Sequence, residues 1–514
     1  MLLSDGWVYQ SVAAILKGFK NNYYSPEKRK DMRGCKAFSY LLFAFCMGLV
    51  KPGAAQQNVH PQSGIYEWPK EAAVKEKLDK WQDQKFGIII HWGLYSVPGI
   101  MESWNLCSED WIDRDSNTVY EDYKKWYWGQ NAQFNPVKFN PEEWARVAKE
   151  AGMRYLVFTT KHHDGFNMFD TRQTDFKISA GPFKNNPKAD VAKHVFDAFR
   201  KQQFMIGAYY SKPDWHSEYY WWPKYATADR NNNYDIRKFP WRWNQYKTFT
   251  YNQISELMNG YGSIDILWLD GGWVRPLETV NDEVRSWGAR IPEWSQDIDM
   301  PRIAAMARQA QPGLLMVDRT VHGPYENYQT PEQRIPATQL PHPWESCMTL
   351  ANNWGYVPGD KYKSPAKVVH TLIEVTAKGG SLLLGVGPKS DGMLTDEAVS
   401  CLQQIGKWTG KNGAAIYGTR ITPNYQDGNT WFTQNPKSGT RYALVCLPEN
   451  AAIPKELSWQ NNLPAKGTKM TLLQTGETVK WKQEGGTVIV TLPASVRDSK
   501  ESLPAVAFAY KPAE

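Results

Sequence analysis

Cysteine is scarce in this chain: six among 514 residues, at positions 35, 46, 107, 347, 401 and 446, with no CxxC pair and no metal-ligand spacing. That scarcity excludes a disulfide-stapled scaffold and a cysteine-built zinc site, so Cys107, Cys347, Cys401 and Cys446 are expected to be free buried thiols. No GxSxG elbow is present, which argues against a Ser-His-Asp hydrolase. No glycine-rich phosphate loop follows an early strand, which argues against a doubly wound nucleotide-binding sheet. An excess of charge is also missing. The formal net charge is +7, but residues 1–55 hold eight Lys/Arg against three acids, leaving about +2 for the remainder. That balance gives no footprint for a nucleic-acid partner.

Residues 1–55 read as a leader. Met32-Arg33-Gly34-Cys35-Lys36 is basic, Ala37 to Val50 is apolar but shorter than an ordinary membrane span, and Gly53-Ala54-Ala55 supplies small residues for cleavage. This is the grammar of a secretory signal, with the true start at Met32 and export to the periplasm or the extracellular space. An uncleaved anchor is the alternative; a lipoprotein fits less well, because Cys46 lies within the apolar run. No transmembrane span is expected in the mature chain.

What the chain has in abundance is short apolar runs that end in polar residues. Ile264-Asp265-Ile266-Leu267-Trp268-Leu269-Asp270 delivers a carboxylate to a Gly271-Gly272 turn, and Phe86 to Ile90 runs into His91-Trp92-Gly93. Tyr155 to Thr160 runs into Lys161-His162-His163-Asp164-Gly165, Met205 to Ala208 into Tyr209-Tyr210-Ser211, Leu314 to Val317 into Asp318-Arg319, and Leu382 to Leu384 into Gly385-Val386-Gly387-Pro388. Between them lie helical patterns over Pro141–Ala151, Val191–Gln203, Tyr246–Asn259, Arg302–Gln311 and Ala366–Lys378. Strand and helix alternate from Phe86 to about Trp408, which predicts a (β/α)8-type barrel with its chemistry at the carboxyl ends of the strands. Beyond Gly418 the runs shorten, are separated by Gly, Pro, Asn and Asp, and predict an antiparallel β-sandwich. The expected division is leader 1–55, barrel 56–420 and sandwich 421–514.

A carboxylate placed by a buried strand must be paired, hydrogen-bonded or functional, because burial penalises its charge. Asp270 as a strand-capping residue is the plain reading; the gathering of His91, His162, His163 and Arg319 at equivalent strand ends favours a site. Metal hydrolysis fits poorly. Adjacent His162 and His163 face one ion only if the strand has already turned, and hydroxyl binding is then equally served, so neither metal nor cofactor is expected. The aromatic clusters Trp126-Tyr127-Trp128, Tyr219 to Trp222 and Trp241-Arg242-Trp243 are read as loop residues, suited to packing a barrel mouth or stacking on sugar faces.

The motifs Lys85 to Pro98 (KFGIIIHWGLYSVP), Lys161 to Phe166 (KHHDGF), Tyr209 to Trp215, Leu267 to Gly271, Trp354-Gly355-Tyr356 and Gly380 to Gly392 together resemble the α-L-fucosidases of glycoside hydrolase family 29. The likeness spans about residues 75–415, and the C-terminal segment is similar to that family's second domain. It implies a retaining exo-glycosidase that removes terminal α-L-fucose from an oligosaccharide or glycoconjugate. Asp270 matches the nucleophile; His91, His162, His163 and Tyr209 match sugar-hydroxyl ligands; Trp268 matches a sugar-packing residue and Arg319 the cation beside the nucleophile. The acid/base is expected at Glu332, which rides a loop, with Glu345 in Trp344-Glu345-Ser346-Cys347 as alternative. Glu102 matches a sugar-binding glutamate, with Glu109 as rival. One departure stands out: Gly385 replaces an asparagine common in the family. Two other functions stay open, an exo-glycosidase for another L-sugar such as α-L-galactose and a catalytically silent carbohydrate-binding relative.

Overall fold

The computed structural model describes residues 63–109, 112, 114, 117–287, 290–498 and 503–513. The expected leader and its Met32 start lie outside them. The described residues form one compact unit.

Seven parallel strands make the first sheet: β1 (Phe86–Ile90), β2 (Tyr155–Lys161), β3 (Met205–Ser211), β4 (Ile266–Asp270), β5 (Leu315–Asp318), β6 (Glu345–Thr349) and β7 (Ser381–Val386), in the order β5-β4-β3-β2-β1-β7-β6. These strands are buried on both faces, which is why they are continuous apolar runs. Side-chain alternation splits them into two groups. Ile89, Tyr155, Val157, Tyr209, Ile266, Trp268, Leu315, Val317 and Leu383 form one cluster inside the curved sheet, while Ile88, Leu156, Phe158, Ile206, Leu267 and Leu384 pack outward. Asp270 has the parity of Trp268, so it belongs to the inner face.

The sheet is open between β5 and β6, and the segment 325–333 bridges the gap. Asn327 N–H donates to Met316 O (2.8 Å) on the β5 side, and Glu345 N–H donates to Gln329 O (2.8 Å) on the β6 side. Single parallel bridges join Gln329 to Trp344 and Glu332 to Cys347. This irregular stave completes the barrel-type wall.

Helix α1 (Ala72–Gln84) sends Val74, Leu78 and Trp81 into the inner cluster, where Trp81 stacks on Tyr328 at 3.9 Å. The outer face is covered by α2 (Pro141–Glu150), α3 (Val191–Lys201), α4 (Pro240–Gly260), α5 (Met300–Ala310), α6 (Pro365–Ala377) and α7 (Asp396–Asn412). Their starts follow capping rules: Asn140, Ser364 and Thr395 accept a backbone N–H from the third helical residue. The aromatic clusters correct the loop reading in part. Trp126 to Trp128 lies in the helix Tyr120–Gly129 and Trp241 to Trp243 in the first turn of α4; only Tyr219 to Trp222 is a loop. Strand β6 was not anticipated, because Glu345-Ser346-Cys347-Met348-Thr349 is polar at its start and shows no apolar run.

Eight antiparallel strands follow, β8 (Gln426–Asp427), β9 (Thr430–Asn435), β10 (Thr440–Cys446), β11 (Glu456–Gln460), β12 (Met470–Leu472), β13 (Thr478–Glu484), β14 (Thr487–Thr491) and β15 (Ala505–Tyr510), paired in the continuous order β11-β14-β13-β12-β15-β10-β9-β8. Alternation again sorts the residues. Ala443, Val445, Val506 and Phe508 face this unit's own core, whereas Tyr442, Leu444, Ala505 and Ala507 join the core of the barrel. All four described cysteines are free thiols; Cys107, Cys347 and Cys401 are buried as expected, whereas Cys446, at the end of its strand, is only half-buried.

Candidate active site

A cavity of about 140 Å³ opens at the carboxyl ends of the strands, its charged and polar side chains set among aromatic ones. Its wall includes His91 after β1, His162 and His163 after β2, Tyr209 in β3, Trp268 and Asp270 in β4, Arg319 after β5, Glu332 on the closing stave, and Glu102. Glu345 and Glu109 are not among the lining residues. The neighbouring histidines reach the cavity together because β2 ends at Lys161 with an irregular register, so the chain has turned before His162.

Asp270 is held by three donors. Tyr209 OH donates to its Oδ2 (2.8 Å), and Arg319 Nη1 and Gly271 N–H donate to its Oδ1 (2.8 Å each), while the unprotonated His163 Nε2 stands 3.7 Å from Oδ2. Burial alone would raise this carboxyl; the Arg319 cation, the Tyr209 hydroxyl and the Gly271 amide outweigh it and hold Asp270 well below the usual carboxylate range. The Gly271 amide is aimed by a left-handed backbone, φ 90°, and a Cβ there would lie 2.2 Å from Pro213 Cδ. Only glycine fits that turn.

Arg319 spans two carboxylates. Its Nη2 donates to Glu332 Oε2 (2.8 Å) while Nη1 serves Asp270, Nε is fixed by Thr330 Oγ1 (3.0 Å), and Cζ lies 4.5 Å over the Trp268 ring. Glu332 takes a second donor, Trp354 Nε1, at 3.2 Å, and its side chain is 25% exposed. The residues that follow both ion-pair members, Thr320 (φ 61°) and Gln333 (φ 53°), are in the left-handed region, a strain of order 1 kcal/mol each that persists only where the surroundings enforce it.

Glu345 lies elsewhere. It is fully buried, accepts from Tyr155 OH (2.7 Å) and Trp268 Nε1 (3.1 Å), and burial pushes it up to about 7 despite those donors. Its contacts place it behind Trp268. Glu109 is paired with Arg230 (2.7 Å). Glu102 faces the cavity with Oε2 lacking a partner among the described residues, and burial pushes it up to about 7, with Glu332 and Asp270 adding to the rise.

The three imidazoles are neutral at pH 7. Burial first, then mutual repulsion, holds His91 and His163 well below their ordinary value, and burial takes His162 down to about 4. Ser211 Oγ donates to Pro213 O (2.6 Å), so it must accept from His163 Nδ1 (2.7 Å), which leaves Nε2 as a free lone pair facing the cavity. His162 Nδ1 is paired with Ser103 Oγ (2.6 Å), and His91 Nδ1 is buried without a partner among the described residues. Neutral imidazoles with one donor and one acceptor suit hydroxyl groups. Ligand atoms of His162, His163 and Asp270 do lie within 4.8 Å of one another, the spacing a metal ion would use. The Asp270 oxygens, however, already take three donors, one of them a guanidinium that a dication would have to displace.

Trp354 was not singled out as a site residue, although it stands in one of the motifs. It packs on His91 (4.9 Å) and reaches Glu332, and a Cβ at Gly385 would meet its Cε3 at 2.6 Å. The indole fills the space a side chain at Gly385 would need. Trp104, Arg230 and Trp273 complete the wall and were likewise not anticipated.

The profile of the family described as Alpha-L-fucosidase matches residues 53–414. The chain is similar to human (Homo sapiens) plasma α-L-fucosidase, 27% identical over 438 residues that cover 81% of this chain and 86% of the relative. It is similar to the α-L-fucosidase of Branchiostoma floridae, 27% identical over 83% of this chain and 92% of the relative. The solved structure of α-L-fucosidase isoenzyme 1 from Paenibacillus thiaminolyticus superposes with a TM-score of 0.68 at 28% identity, covering 86% of this chain and all of that one.

Proposed function

The chain belongs to the α-L-fucosidase family, and from that membership and the geometry of its cavity we propose that it is a retaining exo-glycosidase releasing terminal α-L-fucose from glycans. One observation carries the reading: a single guanidinium, Arg319, ties an ionised inner carboxylate, Asp270, to a second carboxyl at the cavity wall, Glu332, within one cavity that also presents three neutral imidazoles. A cavity of about 140 Å³ has room for roughly ten water-sized groups, the size of one monosaccharide.

Asp270 attacks the anomeric carbon as Glu332 gives a proton to the departing glycosidic oxygen; the C–O bond breaks and a glycosyl ester forms on Asp270. Glu332 then takes a proton from water, the hydroxide oxygen attacks the same carbon, and the ester bond breaks. Two inversions give net retention. Arg319 keeps Asp270 ionised before attack and stabilises it as the leaving group of the second step. His91, His162, His163, Tyr209 and Glu102 meet the sugar hydroxyls, and Trp268 packs on the ring. Water supplies the nucleophilic oxygen of the second step.

Protein lacking residues 1–55 is expected to hydrolyse 4-nitrophenyl α-L-fucoside, with the α-anomer first in the proton NMR spectrum and no response to chelator. Inversion, or loss with EDTA and recovery with zinc, overturns the mechanism; faster cleavage of the α-L-galactoside overturns the sugar assignment. The leader's basic, apolar and small-residue segments support export, and no helix among the described residues is long and apolar enough to cross a membrane. N-terminal sequencing of exported protein, expected to start near residue 56, tests that assignment.

A further inference from the structure

The cavity wall carries both signs of charge: the carboxyls Glu102, Asp270, Glu326 and Glu332, and the guanidiniums Arg230, Arg275, Arg319 and Arg334. Arg230 is paired with Glu109 and Arg319 with Asp270 and Glu332, whereas Arg275 and Arg334 have no carboxylate within 4.0 Å among the described residues. Arg275 is 2% exposed; its Nε donates to Gly272 O (2.5 Å) and its Nη2 to Thr320 O (2.6 Å). The acids nearest to it are engaged by others. Asp318 is held by Lys212 (2.5 Å), Glu326 by His322 (2.6 Å) and the Thr320 amide (3.0 Å), and Glu283 by Ser63 (2.9 Å) and His322 (3.5 Å). Burial lowers Arg275 only to about 10, so it is a cation at neutral pH.

Arg334 stands two residues beyond Glu332, on a backbone fixed by the left-handed Gln333 and by Ser346 Oγ donating to Arg334 O (2.6 Å). Its half-buried side chain makes no hydrogen bond or ion pair among the described residues, and burial lowers its pKa. A partly desolvated guanidinium without a counter-ion is a cost to the fold, and an anion with two oxygens in one plane offsets it bidentately. Trp287, 5.4 Å from the Arg275 guanidinium, adds an aromatic wall beside it.

We infer that the wall containing Arg275 and Arg334 is a leaving-group subsite for an anionic sugar, and that the preferred substrates are fucosylated glycans carrying a carboxylate or a sulfate ester beside the fucose. The assignment rests on the inner cavity taking the fucose. The carboxyls around Asp270 exclude an anion from the inner part, so the acidic group must sit on the side away from the nucleophile. A sugar acid and a sulfate ester share the required chemistry, a compact oxyanion.

The test is kcat/KM on three matched oligosaccharides, the same fucosylated disaccharide left neutral, extended by a sugar carboxylic acid, or bearing a sulfate ester, with 4-nitrophenyl α-L-fucoside as reference. The full-length protein is expected to favour at least one acidic member about tenfold, and 0.5 M salt is expected to erode that ratio by screening. Arg334→Ala is expected to cut the acidic-to-neutral ratio about tenfold and Arg334→Lys less, since it keeps the charge and loses the fork. Whichever acidic member is favoured identifies the source of the anion. Equal kcat/KM for neutral and acidic members, or an unchanged ratio in Arg334→Ala, overturns the subsite while leaving the fucosidase reading intact. No turnover of any member, the aryl fucoside included, overturns that reading and the subsite with it.

Discussion

Arg319 decides the chemistry at the scale of single residues, because it makes unequal partners of two carboxylates. Asp270 is enclosed by donors and stays ionised; Glu332 shares the same cation but keeps a quarter of its side chain in contact with solvent. Asp270→Ala is therefore expected to fold, to lose turnover by ~10³-fold or more, and to be rescued by azide with an inverted glycosyl azide. Near-wild-type turnover in that variant would remove Asp270 from the mechanism. Glu332→Ala is expected to keep appreciable activity on a dinitrophenyl fucoside, whose leaving group needs no proton, and to lose it on natural glycans. Glu345→Ala is expected to slow both alike, and the reverse pattern would move the acid to Glu345.

Glu345 has a different signature. Its carboxyl is raised to about 7 by burial, so the neutral form is favoured in the fold, its contribution is complete below the ordinary value of 4.5 and is lost as pH rises through about 7. Glu345→Gln is expected to remove that loss, of order 3 kcal/mol between pH 4.5 and 8, and so to flatten the dependence of Tm on pH. Glu102, also raised to about 7, leaves a residual slope of the same sign. An unchanged Tm–pH curve in Glu345→Gln would contradict the burial argument. His91, His162, His163, Tyr209, Asp270 and Arg319 were legible beforehand, since each sits in or just after a strand end where parity and barrel geometry aim it at one place. Trp354, Arg230 and Arg275 were not, because what they touch is set by loops that cross from distant parts of the chain.

Among the elements, the segment 325–333 matters most. It replaces a regular strand, closes the wall between β5 and β6, and carries Glu332. Periodicity cannot reveal such a stave. Gln329-Thr330-Pro331-Glu332 has no apolar alternation, and its hydrogen bonds go to β6, itself unread because it begins with a buried glutamate. The apolar strands β1 to β5 and β7 were legible for the opposite reason, being coated on both faces. Packing against the stave gives a prediction at β7: Gly385→Ala puts a Cβ 2.6 Å from the Trp354 ring and must push the indole off Glu332. The expected result is a fall of about tenfold in kcat on poor leaving groups, with a smaller effect on the dinitrophenyl fucoside and Trp354→Phe reproducing it. Wild-type kinetics in both variants would mean that Trp354 does not position Glu332.

In the molecule as a whole, the C-terminal strands are part of the barrel's support. Tyr442, Leu444, Ala505 and Ala507 share the barrel's core, Trp408 Nε1 donates to Ala505 O (2.8 Å), and Arg420 pairs with Asp83 (2.6 Å). A chain ending at residue 420 is expected to be insoluble or inactive, since it would expose this apolar face; a soluble, fully active truncation would contradict the shared core. The change from long alternating units to short strands was readable from turn residues alone, whereas the sharing of one core was not, because alternation shows that a strand has two faces and not what covers the second. The central claim is that Asp270 forms a covalent bond to the sugar, and it is tested most directly by incubating the protein with 2-deoxy-2-fluoro-α-L-fucosyl fluoride and locating the label by peptide mass spectrometry. The expected result is one fluorofucosyl group per chain, on Asp270 in the peptide containing Leu267-Trp268-Leu269-Asp270-Gly271; a label on another carboxylate, or hydrolysis of 4-nitrophenyl α-L-fucoside with inversion and no label, would contradict it.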